Sequence, residues 1–355
     1  MKFYIPYTLT SMPVVIYSYI STFQCITQLF HHYRRPTNRN LITMPNPPHQ
    51  SQNPEVVELD ASAPIEQIVD IIKRDGGIII KNFVSPEIID KIQEEAQPYY
   101  SKLGKYEGKL FDAADPPLSG FAGKSPTFAH EAINHPTYRE VAKALLKEES
   151  TVYRDGKRYK TVSYPVLAVS EAFNRGSPST AQQLHRDDMA QHFEHLEGSG
   201  ESSLLGLLLA GVDTNFENGA TQVIVGSHKW PEACIRGPAD RSLCSTCEMS
   251  KGDAVFIIGS IWHGAGENKT NPPERRIIYS CHMTRGSMRA DENQFVGLEM
   301  DVVKTYEPEV QALLGYSVAR PSCGHVDGED PIVLVGGRED PFGYGDLGGQ
   351  VVVDA

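Results

Sequence analysis

From Tyr164 onward the chain is a succession of short apolar or alternating runs, each closed by Gly, Pro or Asn. The runs are Val166–Phe173, Leu204–Val212, Thr221–Val225, Ala254–Ile258 and Ile277–His282. This spacing constrains the fold more than any other feature. It belongs to an antiparallel sandwich or barrel rather than to βαβ units. A different texture comes first. Ser62 and Pro64 give a helix start, Ile65, Ile68, Val69 and Ile72 recur at helical spacing, and Gly76-Gly77 closes the helix. The apolar Ile78-Ile79-Ile80 predicts a buried strand, and Ser85-Pro86-Glu87 starts a second helix with Ile88, Ile89 and Ile92 on one face. The expected class is mainly β with flanking helices.

At 355 residues the chain has room for one large catalytic domain or two smaller ones. A net charge of −12, with no Lys/Arg run longer than Arg34-Arg35 or Arg275-Arg276, excludes a nucleic-acid partner. Six scattered cysteines form no disulfide framework, which fits a reducing cytosol. Cys244 and Cys247 make a lone CxxC without the second ligand pair that structural zinc needs, so they are expected to be surface-loop thiols. Val14–Phe30 is apolar but interrupted by Ser18, Ser21, Thr22, Gln24, Thr27 and Gln28, a poor spanning helix. Residues 1–54 are expected to be a disordered or weakly apolar extension, with a membrane anchor or a signal peptide as alternatives. A catalytic domain is expected over 55–320. A Gly-rich tail over 321–355 should pack on it, with Val333–Val335 and Val351–Val353 as late strands.

The sharpest local signal is Gln182-Gln183-Leu184-His185-Arg186-Asp187. Residues two apart on a strand share a face, so His185 and Asp187 can bind one metal together. Trp262-His263-Gly264-Ala265-Gly266 follows a predicted strand and offers His263 as third ligand. Two imidazoles and one carboxylate on one face of an octahedron leave positions open, as oxygen-activating iron(II) requires. HxD alone is common by chance; the later Trp-His-Gly and the arginines beyond it carry the case. His192 and His195 are expected in a loop or at the surface, and His228 in a turn. His130, His135, His282 and His325 receive structural readings.

Oxygen activation at such iron requires two extra electrons, which 2-oxoglutarate supplies by losing carbon dioxide. Its distal carboxylate suits the planar fork of an arginine. Arg275 and Arg276 open a predicted strand, and only one can face inward. Counting by twos favours Arg276, which shares its face with Ile278 and Ser280.

Over roughly Glu55 to Gln294 the chain resembles the phytanoyl-CoA dioxygenase family, in particular its fungal branch acting on secondary metabolites. The shared motifs are Asp75-Gly76-Gly77-Ile78-Ile79-Ile80, His185-Arg186-Asp187, Glu217-Asn218-Gly219-Ala220-Thr221 and Gly226-Ser227-His228. They continue through Lys251-Gly252-Asp253, Trp262-His263-Gly264-Ala265-Gly266-Glu267-Asn268 and Arg275-Arg276. Val225 departs from the proline that many relatives carry before Gly-Ser-His. The resemblance implies a double-stranded β-helix (jelly roll) binding iron(II), 2-oxoglutarate and O2, with His185, Asp187 and His263 as ligands. It further implies that Gln182, Thr221 and Arg275 or Arg276 contact the co-substrate. Because Asp187 is present where a Gly or Ala would admit chloride, hydroxylation, desaturation or ring-forming oxidation of a small hydrophobic metabolite is expected. A homodimer is compatible with the sequence. The competing readings are a non-catalytic jelly-roll binding module and a cupin-like enzyme using zinc or manganese.

Overall fold

The structure is a computed structural model that describes residues 53–102, 116–154, 156–196, 198–231 and 239–336. Most of the expected amino-terminal extension, including Val14–Phe30 and Met44, lies outside the described residues, as does Val351–Val353. No helix among the described residues is long and apolar enough to cross a membrane.

Strand β1 (Glu58–Asp60) leads into helix α1 (Ile65–Asp75), which buries Ile68, Val69, Ile71 and Ile72. Ser62 does not cap this helix. Its backbone N–H and hydroxyl both donate to Asp60 Oδ1 in a tight turn, and Pro64 takes the N-cap position. Gly76 ends α1 at φ 87°, where a Cβ would lie 2.6 Å from His228 Nδ1. Strand β2 (Gly77–Lys81) follows, then helix α2 (Pro86–Tyr100) with Ile89, Ile92 and Ala96 buried.

The remaining strands are β3 (Leu118–Ser119), β4 (Glu148–Arg154), β5 (Lys157–Ser163), β6 (Val166–Gly176) and β7 (Leu204–Ala210). Then come β8 (Thr221–Val223), β9 (Ser245–Thr246), β10 (Ala254–Ile258), β11 (His263–Ala265) and β12 (Arg275–Thr284). Seven strands form the major sheet in the order β1-β2-β10-β7-β12-β6-β3, and β1–β2 is its one parallel pair. The minor sheet runs β11-β8-β9, and β4-β5 is a separate ribbon. Backbone bridges Ser179↔Asn268 and His185↔His263 lay residues 179–185 along the free edge of β11. Two antiparallel layers with helices against the outer face of the larger one make a jelly roll.

Because β7 and β10 are buried on both faces, they read as near-continuous apolar runs. Alternation along β12 sends Arg276, Ile278, Ser280 and His282 inward between the sheets. Tyr279, one position out of phase, stacks on Phe121 at 5.3 Å on the opposite face. Tyr138, from the helix Pro136–Leu146, donates to the Leu205 carbonyl at 2.7 Å and ties that helix to β7.

Two expectations are corrected here. Val333–Val335 is not a strand: Ile332–Val335 is a single helical turn, opened by Pro331 and closed by Gly336 at φ 109°, and no strand among the described residues pairs with it. Cys247 is not a surface thiol, being fully buried with its N–H donating to the Thr221 carbonyl, and Cys244 is half-buried. Ser245 and Thr246 between them are β9 itself, and a separation of three along a strand puts the two cysteines on opposite faces, Cys247 toward the core.

Candidate active site

His185 and His263 are far apart in sequence but direct partners across two strands. Each donates its N–H to the other's carbonyl, His185 to His263 at 2.9 Å and His263 to His185 at 3.0 Å. A mutually bonded pair presents its two side chains on one face, Cα to Cα about 5.5 Å apart. The rings meet accordingly, centroids 4.5 Å apart. Two residues on, the Asp187 N–H donates to the Gly259 carbonyl, and a 3-10 turn over Asp187–Gln191 takes the chain away from the sheet. His185, Asp187 and His263 thereby bring one ligand atom each to within 4.8 Å of the others.

The imidazole tautomers follow from the second nitrogen of each ring. His185 Nδ1 lies 2.9 Å from the Gln183 carbonyl and His263 Nδ1 lies 3.1 Å from the Ile261 carbonyl. A carbonyl only accepts, so Nδ1 carries the proton and the Nε2 lone pairs face Asp187, at 3.3 and 3.4 Å. Backbone carbonyls hold metal-ligating histidines in this way.

A third imidazole was given only a structural role from the sequence. His282 Nε2 lies 2.9 Å from Asp187 Oδ2, and the ring sits deep in β12 opposite Gly206. A Cβ on Gly206 would come within 2.6 Å of His282 Nε2, so glycine makes the space the ring needs. Burial opposes the charge on Asp187, but His263, His282 and His185 around it hold its pKa well below the usual carboxylate value. His263 is pushed down to about 4, by burial first and with Asp187 only partly offsetting it, so it is neutral near pH 7. For His185 and His282 burial works downward, yet contact with Asp187 leaves both above the ordinary histidine value.

These groups border a cavity of about 460 Å3 between the sheets. Arg276 is 4% exposed, lines it, and donates to the Gly219 carbonyl. Arg275 points the other way, is exposed, and donates through Nε to Asn174 Oδ1 at 2.5 Å. Thr221 is buried at the cavity wall. Gln182 is pinned there by its Oε1, which accepts from the Ala265 N–H at 3.2 Å, and its own carbonyl accepts from Arg241. The wall also holds Glu171 and Arg175 of β6, which sequence reasoning missed. A count by twos back from the strand end would have found them, since Arg175 pairs with Arg276 and Glu171 with Ser280.

The other histidines lie apart from this centre. His195 is not at the surface: it is buried with Nε2 3.1 Å from Asp188, the outward neighbour of Asp187, which also accepts from Ser202 at 2.9 Å. His228 Nε2 meets the Lys73 carbonyl at 3.1 Å, and His135 Nδ1 accepts from the Thr137 N–H at a helix start. His185, Asp187 and His263 are the one group of metal-ligating side chains among the described residues.

Residues 72–277 match the model of the phytanoyl-CoA dioxygenase family, PhyH. The chain belongs to this family. Dioxygenase peniF of Penicillium patulum is 34% identical over 279 residues, covering 77% of this chain and 89% of that one. Dioxygenase swnH2 of Arthroderma benhamiae is 34% identical over 281 residues, covering 78% and 88%. Dioxygenase himG of Aspergillus japonicus is 29% identical over 289 residues. This PhyH-family chain is an enzyme of the iron(II)- and 2-oxoglutarate-dependent dioxygenase type.

Proposed function

We propose that His185, Asp187 and His263 hold iron(II), that Arg276 with Thr221 and Gln182 seats 2-oxoglutarate, and that the enzyme oxidises a small hydrophobic metabolite in fungal secondary metabolism. The observation that carries this reading is the convergence of two Nε2 lone pairs and one carboxylate beside a cavity that ends in a buried arginine. The donor set suits iron(II): two neutral imidazoles and one anionic oxygen from one side leave room for a chelating keto acid and oxygen. Bound there, iron and 2-oxoglutarate would supply the oxidising power for hydroxylation, desaturation or ring-forming oxidation.

The chain's own residues position and shield. Arg276, immobilised by the Gly219 carbonyl, offers a guanidinium fork to a carboxylate. His282 fixes one oxygen of Asp187 and so sets which way its other oxygen points. Leu208, Phe173 and Ile278 give apolar walls that keep water from the reacting carbon. The catalytic unit is proposed to span 55–320, as a chain beginning at Met44 that keeps its activity would support.

Anaerobic addition of iron(II) and 2-oxoglutarate to the metal-free protein is the test. A visible charge-transfer band that needs both components, followed by succinate release on admitting air, is expected. A protein that binds zinc or manganese but develops no such band would be a different-metal enzyme, and one that binds no metal a binding module.

A further inference from the structure

Glu171 occupies an unusual position. It sits on β6 beside Ser119 of β3 and Ser280 of β12, and it is 8% exposed. Its carboxylate accepts no hydrogen bond from any described residue. It lines the 460 Å3 cavity of the His185-Asp187-His263 centre and also a second one of about 850 Å3. The second cavity has apolar walls from Val169, Ala190, Met288 and Ala290, and Gln191, His192, Arg289, Asp291 and Glu292 also line it. A buried carboxylate without a donor costs several kcal/mol as an anion. The Glu171 oxygens are not among the sealed polar atoms, so a molecule held in either cavity can reach them.

We infer that Glu171 is the specificity determinant for substrate, and that the substrate is a hydrophobic amine whose protonated nitrogen pairs with this carboxylate. The surroundings select a cation over a neutral donor. Asp291 and Glu292, and Asp187 beyond them, add negative potential at Glu171, and His282 adds positive. His282 is already engaged with Asp187. Lys124, the cation nearest Glu292, donates to the Ser119 carbonyl at 2.6 Å. Burial is the first cause raising the Glu171 pKa to about 7, which a bound cation would reverse. Arg175 and Arg276, at the other end of the same cavity, keep the anionic co-substrate away from this end.

The inference rests on the cavity being the chamber of a 2-oxoglutarate enzyme, and the test separates the two. Protein loaded with iron(II) and 2-oxoglutarate under argon is titrated with two matched trios. One is adamantan-1-amine, adamantan-1-ol and adamantane-1-carboxylate; the other is the 1-naphthylmethyl amine, alcohol and 1-naphthoate. The readouts are calorimetry and displacement of the charge-transfer band. In the wild type at least one amine should bind about tenfold or more tighter than its alcohol, as a charge-assisted bond predicts. In Glu171→Gln that preference should shrink to within about twofold, with the band itself retained. An amine preference that survives Glu171→Gln overturns the inference, as does a wild type that binds no amine better than its alcohol. Absence of the band in the wild type would instead remove the reading on which it rests.

Discussion

On β12 the inward residues Arg276, Ile278, Ser280 and His282 come from successive positions of one ten-residue strand, bonded on both sides by β6 and β7. The facing wall is built otherwise. His185 and Asp187 stand on a segment held by single bridges, and His263 begins a three-residue strand. Regular alternation thus supplies the arginine and the positioning imidazole, while a few backbone bonds at strand ends supply the ligand set. The difference teaches that the ligands depend on their immediate backbone partners, whereas the major-sheet groups depend on sheet phase and on the space opposite them.

If that contrast holds, the largest effects come from the bridged wall. Asp187→Ala or His263→Ala should abolish succinate formation and metal retention while leaving the circular dichroism spectrum intact, since neither side chain fills the apolar core. Unfolding of either variant would show instead that the ligands also hold the sheets together. On the regular wall, Arg276→Lys should raise the KM for 2-oxoglutarate about ten- to a hundredfold, because an ammonium cannot reproduce a forked contact. Arg275→Lys should change it less than about twofold, and steady-state kinetics with both variants would expose any error in strand phase.

His282 joins the two walls. His282→Phe should lower iron(II) affinity about tenfold, in the range for groups that orient a metal ligand. Gly206→Ala should act in the same direction by pushing the ring, and chelator competition measures both. Unchanged affinity in the pair would make His282 a packing residue. The smallest effect concerns Glu171. Its proton is retained in the folded protein up to about pH 7 but lost by the unfolded chain near its ordinary value of 4.5. The folded state therefore binds more protons in that window, and stability falls as pH rises through it. In metal-free protein, Glu171→Gln should reduce the loss of unfolding free energy between about pH 5 and pH 8 by about 1–2 kcal/mol, measured in urea.

The convergence of His185, Asp187 and His263 was legible because a period of two puts His185 and Asp187 together, and because Trp262-His263-Gly264 follows a clear strand. The choice of Arg276 over Arg275 as the inward residue also follows from that period, and the structure places the two side chains accordingly. His282 and Glu171 were not legible for a physical reason. Each lies inside an apolar run, where a polar residue reads as a tolerated exception until its partner across the sheet is known. Ser62 and Val333–Val335 misled because local propensity was overruled, once by an Asp60 side chain two residues earlier and once by the lack of any pairing strand among the described residues.

The reciprocal backbone bonds between His185 and His263 make catalysis a matter of register. Slipping residues 179–185 by one position against β11 would turn His185 away from the cavity and unmake the centre with no residue changed. A single insertion or deletion there, or between His263 and Asn268, would do the same.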